Sequence, residues 1–256
     1  MAVKTLSENV NQAISDFGSI KQAIINKGVD IPSGTPTSQY SEKIGEIQSG
    51  GGGDEEFIGV IERTATNPTL PSDLTTIGDY AFTQYTALTH PTLPDGLTSI
   101  GDYAFQSCKN LALTELPDWI IIIGSYAFSN CTNLALTKLP AKLKTTKGYA
   151  FSYCTNLTSL TLPNELTNIA PSLFSGCTNL VLTELPASIT GIYSYGFSNC
   201  KGLTEITFKG KPNSISTTAF SGCTNLKTIR VPWANGAVSG APWGATSASV
   251  IYSYTQ

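Results

Sequence analysis

The chain has 256 residues, of which only 13% are charged, and its formal net charge is −3. About a quarter of the residues are charged in an ordinary soluble domain, so Thr, Ser and Asn must solvate most of this surface. The composition excludes the basic face that nucleic-acid binding needs. No apolar run approaches the length of about 18 residues that a membrane-spanning helix needs.

Residues 1–49 are predicted to form a helical attachment or oligomerisation module. Their apolar residues recur at alternating steps of three and four, the spacing of a coiled-coil seam. These residues are Val3, Leu6, Val10, Ala13, Phe17, Ile20 and Ile24. Gly18 disfavours one continuous helix, so a self-associating coiled coil and a helical hairpin both remain open. The first residues, MAVKTLSENVNQ, lack the apolar stretch of a signal peptide, so we expect synthesis in the cytoplasm and no ordinary secretion.

Four glycines at 50–53 are predicted to form a flexible linker. They lack the Lys-Ser/Thr pair of a phosphate-binding loop. Residues 54–68 are charged and do not follow the pattern of the residues after them. We expect this segment to cap the N-terminal end of the next domain.

From residue 66 onward the sequence repeats every 23 residues, as in GDYAFQSCKNL (101–111) and GSYAFSNCTNL (124–134). A fixed period of this length is typical of a solenoid, in which stacked coils share one core. The repeat aligns Phe, Leu, Ile and Cys residues in columns, and Thr146 interrupts the Ile column. The Cys column is Cys108, Cys131, Cys154, Cys177, Cys200 and Cys223.

Each coil has the same predicted anatomy, shown by residues 157–177. LTSLTL (157–162) is Thr-rich and alternating, so it is predicted to be a short strand, which Pro163 ends. In NELTNIAPSLFSGC (164–177) apolar residues recur every three or four positions, which predicts a short helical or 3₁₀ turn. Coils about 4.8 Å apart hold the cysteines slightly too far apart for disulfides. Buried thiols are therefore predicted, and some bridging remains the alternative.

These columns resemble the BspA-like leucine-rich repeat, with the pattern LxxLxLPxxLxxIxxxAFxxC, over residues 66–232. The resemblance implies an α/β repeat fold, a right-handed solenoid whose short parallel strands line a concave face. The solenoid domain would comprise residues 54–232 with seven coils. The family is associated with bacterial adhesion and binding, and not with catalysis.

Three coils depart from this pattern, because Leu113, Leu136 and Leu182 lie one residue early relative to Leu160. A one-residue shift turns a side chain to the opposite face of a strand. The two interpretations are a local bulge that keeps these leucines in the core and three leucines on the outer face of the sheet.

Two columns of side chains are candidate binding surfaces. The first alternates with the core leucines and therefore faces outward. The alternative is that it is only a solvated face, and Glu115 and Lys138 are predicted to pair within it. We name it the mixed column, and its candidate residues are Thr92, Glu115, Lys138, Thr161, Glu184, Thr207 and Arg230.

The second column consists of tyrosines that precede the Ala-Phe pairs. It is a candidate stacking platform for sugars. The alternative is that the rings pack against the coil wall and leave their hydroxyls at the rim. Its members are Tyr80, Tyr103, Tyr126, Tyr149 and Tyr195.

Residues 233–256 are predicted to form a C-terminal cap. A terminal coil exposes apolar core, which Trp233 and Trp243 are large enough to cover, and SVIYSY (249–254) can add a strand. Residues 231–254 resemble a terminal cap seen on such repeat proteins. Residues 20–47 resemble a module of phage and prophage tail-fibre and related virion proteins.

No residue pattern predicts catalysis, a cofactor or a metal site. His90 is the only histidine, so the cysteine column has no imidazole partners for zinc or for nucleophilic catalysis. The sequence predicts a non-catalytic binding or adhesion protein. The resemblances imply a phage- or prophage-encoded virion component, in the virion or at a cell surface, that contacts a bacterial protein or glycan or other virion proteins. A structural decoration protein of a phage particle and a bacterial cell-surface adhesin are the alternatives.

Overall fold

The computed structural model describes the backbone of residues 56–57 and the whole of residues 66–255. Predictions for the helical module at 1–49, the linker at 50–53 and most of the N-terminal cap lie outside the described residues. The seven 23-residue coils are numbered in chain order. They are coil 1 (66–88), coil 2 (89–111), coil 3 (112–134), coil 4 (135–157), coil 5 (158–180), coil 6 (181–203) and coil 7 (204–226).

The described residues contain short strands that pair in parallel. They are β1 (Glu56–Phe57), β2 (Thr76–Ile77), β3 (Ser99–Ile100), β4 (Ile122–Ile123), β5 (Thr145–Thr146), β6 (Asn168–Ile169), β7 (Glu184–Leu185), β8 (Gly191–Ile192), β9 (Glu205–Phe208), β10 (Ser214–Ile215), β11 (Thr228–Arg230) and β12 (Ser249–Ile251).

The strands form two stacks, which we name after their core residues. The Ile ladder contains the sheet β1-β2-β3-β4-β5 and the sheet β6-β8-β10. The Leu-Pro ladder contains the sheet β7-β9-β11-β12, and single bridges such as Thr69 to Thr92 and Lys138 to Thr161 extend it into earlier coils. Most of the neighbouring coils are therefore joined through one or both of these ladders, as the predicted parallel solenoid requires.

The core consists of the predicted internal columns. The phenylalanine rings are fully buried and stack on one another with centroids 5.0–5.8 Å apart. The column is Phe82, Phe105, Phe128, Phe151, Phe174, Phe197 and Phe220. The leucine column from Leu88 to Leu226 is 0% exposed in all seven coils. The predicted fold, a stack of equal coils around continuous apolar columns, is confirmed.

Hydrogen-bonded turns replace the short helical or 3₁₀ turn that the spacing predicts. In coil 1 the Ala81 N–H donates to the Gly78 carbonyl, whereas the Phe82 N–H donates to Ala104 in the next coil. Tyr80 lies at the third position of that turn with φ 60°, the geometry of a type II turn. Donors that point to the neighbouring coil cannot close a helix, so the segment consists of turns together with the two-residue strand of the Ile ladder.

The cysteines are buried in one column, and no disulfide joins them. Each thiol donates to the carbonyl of a phenylalanine 26 residues earlier, for example Cys131 Sγ to Phe105 O at 3.0 Å. Burial raises the pKa of Cys177 to about 12 and also raises that of Cys154 well above its ordinary value. These are structural thiols, as the buried-thiol interpretation predicts.

Aromatic residues cover the last described coil. Trp243 is fully buried, and its ring lies 6.1 Å from Phe208. Trp233 meets the same phenylalanine edge to face at 5.3 Å. β12 pairs in parallel with β11, so the Leu-Pro ladder continues through two strands after coil 7.

Candidate functional site

The mixed column lies on the outer face of the Leu-Pro ladder. Thr207 pairs with both Glu184 and Arg230, and Thr161 pairs with Lys138, so these residues are stacked in register. Five of the seven candidates are exposed, and Thr207 and Arg230 are half-buried. The ladder thus holds threonine and charged side chains in one row on the surface.

The ion pairs of this column differ from the predicted one. Lys138 Nζ lies 3.4 Å from the Asp118 carboxylate, so the predicted pair of Glu115 with Lys138 is wrong. Arg230 donates to the Glu205 carboxylate at 2.6 Å, and this bond raises the pKa of the guanidinium. These pairs are exposed and contribute little to stability, although they define the charge that the surface presents.

Four of the five predicted tyrosines form one stack. The ring pairs Tyr80–Tyr103, Tyr103–Tyr126 and Tyr126–Tyr149 are nearly parallel, with centroids 4.6–4.9 Å apart. Tyr195 lies outside it, because coil 5 has Ser172 at this position. Burial and the neighbouring tyrosines raise the pKa of Tyr126. Neighbouring rings cover both faces of Tyr103 and Tyr126, so these two rings present their edges, and not open faces, to a ligand.

The structure distinguishes the two interpretations of the shifted leucines. Leu136 and Leu182 are 1% and 3% exposed, so both point into the core. The backbone bends at Thr114 and Thr137, each directly after a shifted leucine. Leu113 is half-buried. A local irregularity of the backbone therefore accommodates the one-residue shift, and the outer-face interpretation is wrong for Leu136 and Leu182.

The irregularity in coil 3 opens a groove beside the mixed column. Coil 3 makes no strand bridge in the Leu-Pro ladder on either side among the described residues. The resulting groove has a volume of about 360 Å³. Leucine and proline side chains and four charged residues line it. They include Leu93, Leu113, Pro117, Asp95, Glu115, Asp118 and Lys138.

The groove is acidic. Asp118 is paired with Lys138, whereas Asp95 and Glu115 make no ion pair within the described residues. The groove therefore carries an excess of negative charge beside leucine and proline side chains. This arrangement suits a basic side chain with an aliphatic stem, because the stem packs on leucine while the charge meets a carboxylate.

An exposed apolar cluster follows the groove directly in the chain. Trp119, Ile121 and Ile122 are 61%, 38% and 41% exposed, and we name them the coil 3 patch. The other coils have polar residues or glycine at the same three positions. These are Asp73, Thr75, Thr76; Gly96, Thr98, Ser99; Lys142, Lys144, Thr145; Glu165, Thr167, Asn168; Ser188, Thr190, Gly191; and Lys211, Asn213, Ser214.

The sequence-based predictions did not include the coil 3 patch, because they covered the apolar columns, the mixed column and the tyrosines, and the patch lies in none of these. The signal was available: three polar columns each become apolar once, all in coil 3. Ile122 belongs to β4, where it faces outward while Ile123 is buried. The parallel register places Ser99 and Thr145 on either side of it, so the patch stands out within a polar sheet face.

Within residues 66–255, no three His, Cys, Asp or Glu side chains are close enough to hold a metal ion. His90 is exposed. No helix in this part of the chain has the length and hydropathy to cross a membrane.

The family described as BspA type leucine rich repeat region matches in six copies, over residues 61–181 and 145–235. These matches cover more than half of the chain. The chain belongs to this family. No curated protein matches the chain.

Several solved structures of other proteins are similar to part of this chain. A leucine-rich repeat protein of T. pallidum is 32% identical over 63% of this chain and 64% of its own, with a TM-score of 0.47. One from Bacteroides ovatus is 21% identical over 74% of this chain and 61% of its own, also with a TM-score of 0.47. The pneumococcal vaccine antigen PcpA is 17% identical over 74% of this chain and 68% of its own, with a TM-score of 0.44. The chain thus spans about three fifths of the length of the first two.

Proposed function

We propose that this protein is a non-catalytic binding protein whose solenoid contacts another protein through coil 3. The groove and the coil 3 patch share one short stretch of chain, residues 113–122. Exposed Trp119 carries the proposal, because tryptophan is the side chain most enriched among residues that dominate binding energies. Apolar patches on polar surfaces mark interaction sites more often than scattered apolar residues do.

The groove defines the chemistry of the partner. Asp95 and Glu115 attract a lysine or arginine, and Leu113 supports the aliphatic part of that side chain. Beside it, Trp119 and Ile122 need an apolar surface. The partner therefore presents a basic residue next to an apolar segment. Because rim charges act mainly on the association rate, added salt slows binding more than it speeds dissociation.

The test compares three chains on bacterial surface material, with and without protease treatment of that material. The test variant carries Trp119→Ser, Ile121→Thr and Ile122→Thr, which gives coil 3 the residue types of the other coils without changing its charge. Tyr153→Ser is the matched control, because Tyr153 is 57% exposed and lies outside the patch. We expect the unchanged chain and the control to be retained on untreated material, and the triple variant to lose about tenfold in affinity or more.

Equal retention of the triple variant would contradict a role for coil 3. Retention that survives protease treatment would contradict a protein partner and favour a glycan. A further variant, Glu115→Gln, tests the groove, and we expect a slower association rate at low salt with little change at high salt.

We further propose that this binding takes place in a phage- or prophage-encoded virion component that meets a bacterial surface. Its support is the resemblance of residues 20–47 to a module of phage and prophage virion proteins. Residues 1–49 would attach or oligomerise the chain, and the solution mass of the full chain tests that role. Peptides of this chain in purified phage particles are the expected result. A chain recovered instead from the bacterial envelope would support the adhesin alternative.

A further inference from the structure

The Ile ladder is interrupted between coils 4 and 5. At the other five junctions from coil 1 to coil 7, the residue after the ladder residue donates its N–H to the preceding coil, as Lys147 does to Ile123 and Tyr193 to Ile169. At this junction the equivalent bond, from Ala170 to Thr146, is absent. The bond from Thr167 to Lys144 is absent too, although Lys144 donates to Ile121 and Thr190 to Thr167. β5 and β6 accordingly belong to different sheets.

The sequence changes at this junction explain the opening. Pro171 restricts the backbone of Ala170, the residue before it. Gly148 lies opposite, and a Cβ there would meet the Pro171 carbonyl oxygen at 3.3 Å. The two coils remain paired on either side of the opening, through Tyr149 N–H to Pro171 O and Thr161 N–H to Thr137 O. The opening is therefore local, and hydrogen bonds between the two coils lie on both sides of it.

Thr146 lies in this opening with an unsatisfied hydroxyl. It replaces isoleucine in the inward column of the Ile ladder, and it is 7% exposed. Its Oγ1 is buried and has no hydrogen-bond partner. Buried hydroxyls almost always have a partner, and leaving one without a partner costs about 1–3 kcal/mol. An isoleucine would serve the core better, so this hydroxyl points to a bound polar group.

A cleft of about 350 Å³ occupies the opening. Its lining includes the four residues whose ladder bonds are missing, Lys144, Thr146, Thr167 and Ala170, together with Lys147 and Tyr193. None of the lining residues is acidic. Lys147 is held by Asp102 at 3.0 Å. Lys144 is held more weakly, because its partner Glu165 lies at 3.7 Å and is bound more closely by Lys142 at 3.1 Å. Tyr193 is 50% exposed at the edge of the cleft.

We propose that this cleft binds a single sugar residue that carries a carboxylate, such as a uronic acid unit of a glycan. Sugar hydroxyls both donate and accept hydrogen bonds, so they match the backbone N–H groups of coil 5, the carbonyls of coil 4 and Thr146 Oγ1. The volume is that of a small-ligand site and suits one hexose ring. Tyr193 offers an apolar ring surface for the C–H face of the sugar, and Lys144 meets the carboxylate.

This site is separate from the protein-binding surface proposed for coil 3, and the two are tested by different variants. The probe is glucuronate, titrated into the full chain and followed by saturation-transfer NMR and calorimetry, with glucose as the neutral comparator. The test variants are Thr146→Val, which removes the hydroxyl and keeps the shape, together with Tyr193→Ala and Lys144→Met. The matched controls are Thr76→Val on the outer face of β2 and Tyr153→Ala outside the cleft.

We expect glucuronate to bind more tightly than glucose, and Thr146→Val to weaken glucuronate binding about tenfold, the loss of one buried hydrogen bond. Lys144→Met should abolish the preference for glucuronate and leave glucose binding unchanged. The controls should bind as the unchanged chain does.

Three results would overturn the proposal. If neither sugar binds at millimolar concentration, the cleft is not a sugar-binding site. Equal binding of glucose and glucuronate would show that the cleft does not recognise a carboxylate. Equal losses in Tyr153→Ala and Tyr193→Ala would place binding elsewhere. Thr146→Val is expected to fold at least as stably as the unchanged chain, so weaker binding in this variant cannot be attributed to unfolding.

Discussion

The groove at coil 3 and the cleft between coils 4 and 5 both lie where ladder pairing between neighbouring coils is interrupted, and they differ in charge. The groove lies where the backbone bends at Thr114, and two acidic side chains that make no ion pair within the described residues line it. Pro171 and Gly148 accompany the opening of the cleft, which only lysines line as charged residues. In a stack whose coils are otherwise alike, such breaks distinguish candidate sites from the repeated surface.

The contrast between these openings and the regular stack can be tested by truncating one aromatic residue in the core and one on the coil 3 patch. Phe151 is fully buried between Phe128 and Phe174. We expect Phe151→Ala to lower the free energy of unfolding by about 3–5 kcal/mol, through lost packing and the cavity left behind. Chemical denaturation measures it.

Trp119→Ala is the comparison variant for this prediction. Its side chain is 61% exposed, so we expect a change within about 0.5 kcal/mol. A loss as large as that of Phe151→Ala would mean that Trp119 is part of the folded core. The coil 3 patch would then cease to be a candidate binding surface.

Much of the regular stack could be predicted from the sequence, because a 23-residue period forces equivalent residues into the same environment. Phe128 and Leu134 could be assigned to the core on that basis, and so could the buried cysteines. The turns around Tyr126 could not, since they depend on which N–H groups turn toward the next coil. The pairing of Lys138 with Asp118 also escaped prediction, because Asp118 lies outside the mixed column in which a partner for Lys138 was predicted.

The candidate sites were visible in the sequence only as exceptions. The sequence shows Thr146 as the one break in the Ile column. It does not show that the Thr146 hydroxyl has no partner, because that depends on how coil 5 packs. The coil 3 patch could have been found by aligning polar columns, where Trp119 replaces polar residues or glycine. The role of Pro171 could not have been found in this way, because it concerns hydrogen bonds between different coils.

The cysteine column provides a test of how dry the regular stack is. Burial raises the pKa of Cys177 from 9.0 to about 12. Above pH 9 an unfolded chain ionises this thiol while the folded chain keeps it protonated, so the unfolded state binds fewer protons and stability falls as pH rises. The contribution is fully present below about pH 9 and is lost between about pH 9 and 12. At pH 11 we expect a loss of about 3 kcal/mol from Cys177 alone.

The measurement is the free energy of unfolding from pH 8 to 11 for the unchanged chain and for Cys177→Val. Lysines and tyrosines that titrate in this range affect both chains, so the difference between their pH slopes isolates the thiol. Parallel slopes would show that Cys177 titrates as an exposed thiol does. The core would then be wetter than the stacked phenylalanines indicate.

The smallest expected effect is a gain in stability from a substitution in the cleft. Thr146→Val removes a buried hydroxyl that has no partner and returns an apolar residue to the Ile column. We expect the free energy of unfolding to rise by about 1 kcal/mol, whereas Thr76→Val on the outer sheet face should change it by less than about 0.5 kcal/mol. Thermal and denaturant unfolding of both variants provide the measurement. A loss of stability in Thr146→Val would mean that the hydroxyl is satisfied within the folded chain, and the opening between coils 4 and 5 would then be a structural joint. A gain together with weaker glucuronate binding would show that coil 4 gives up stability at this position to hold a ligand.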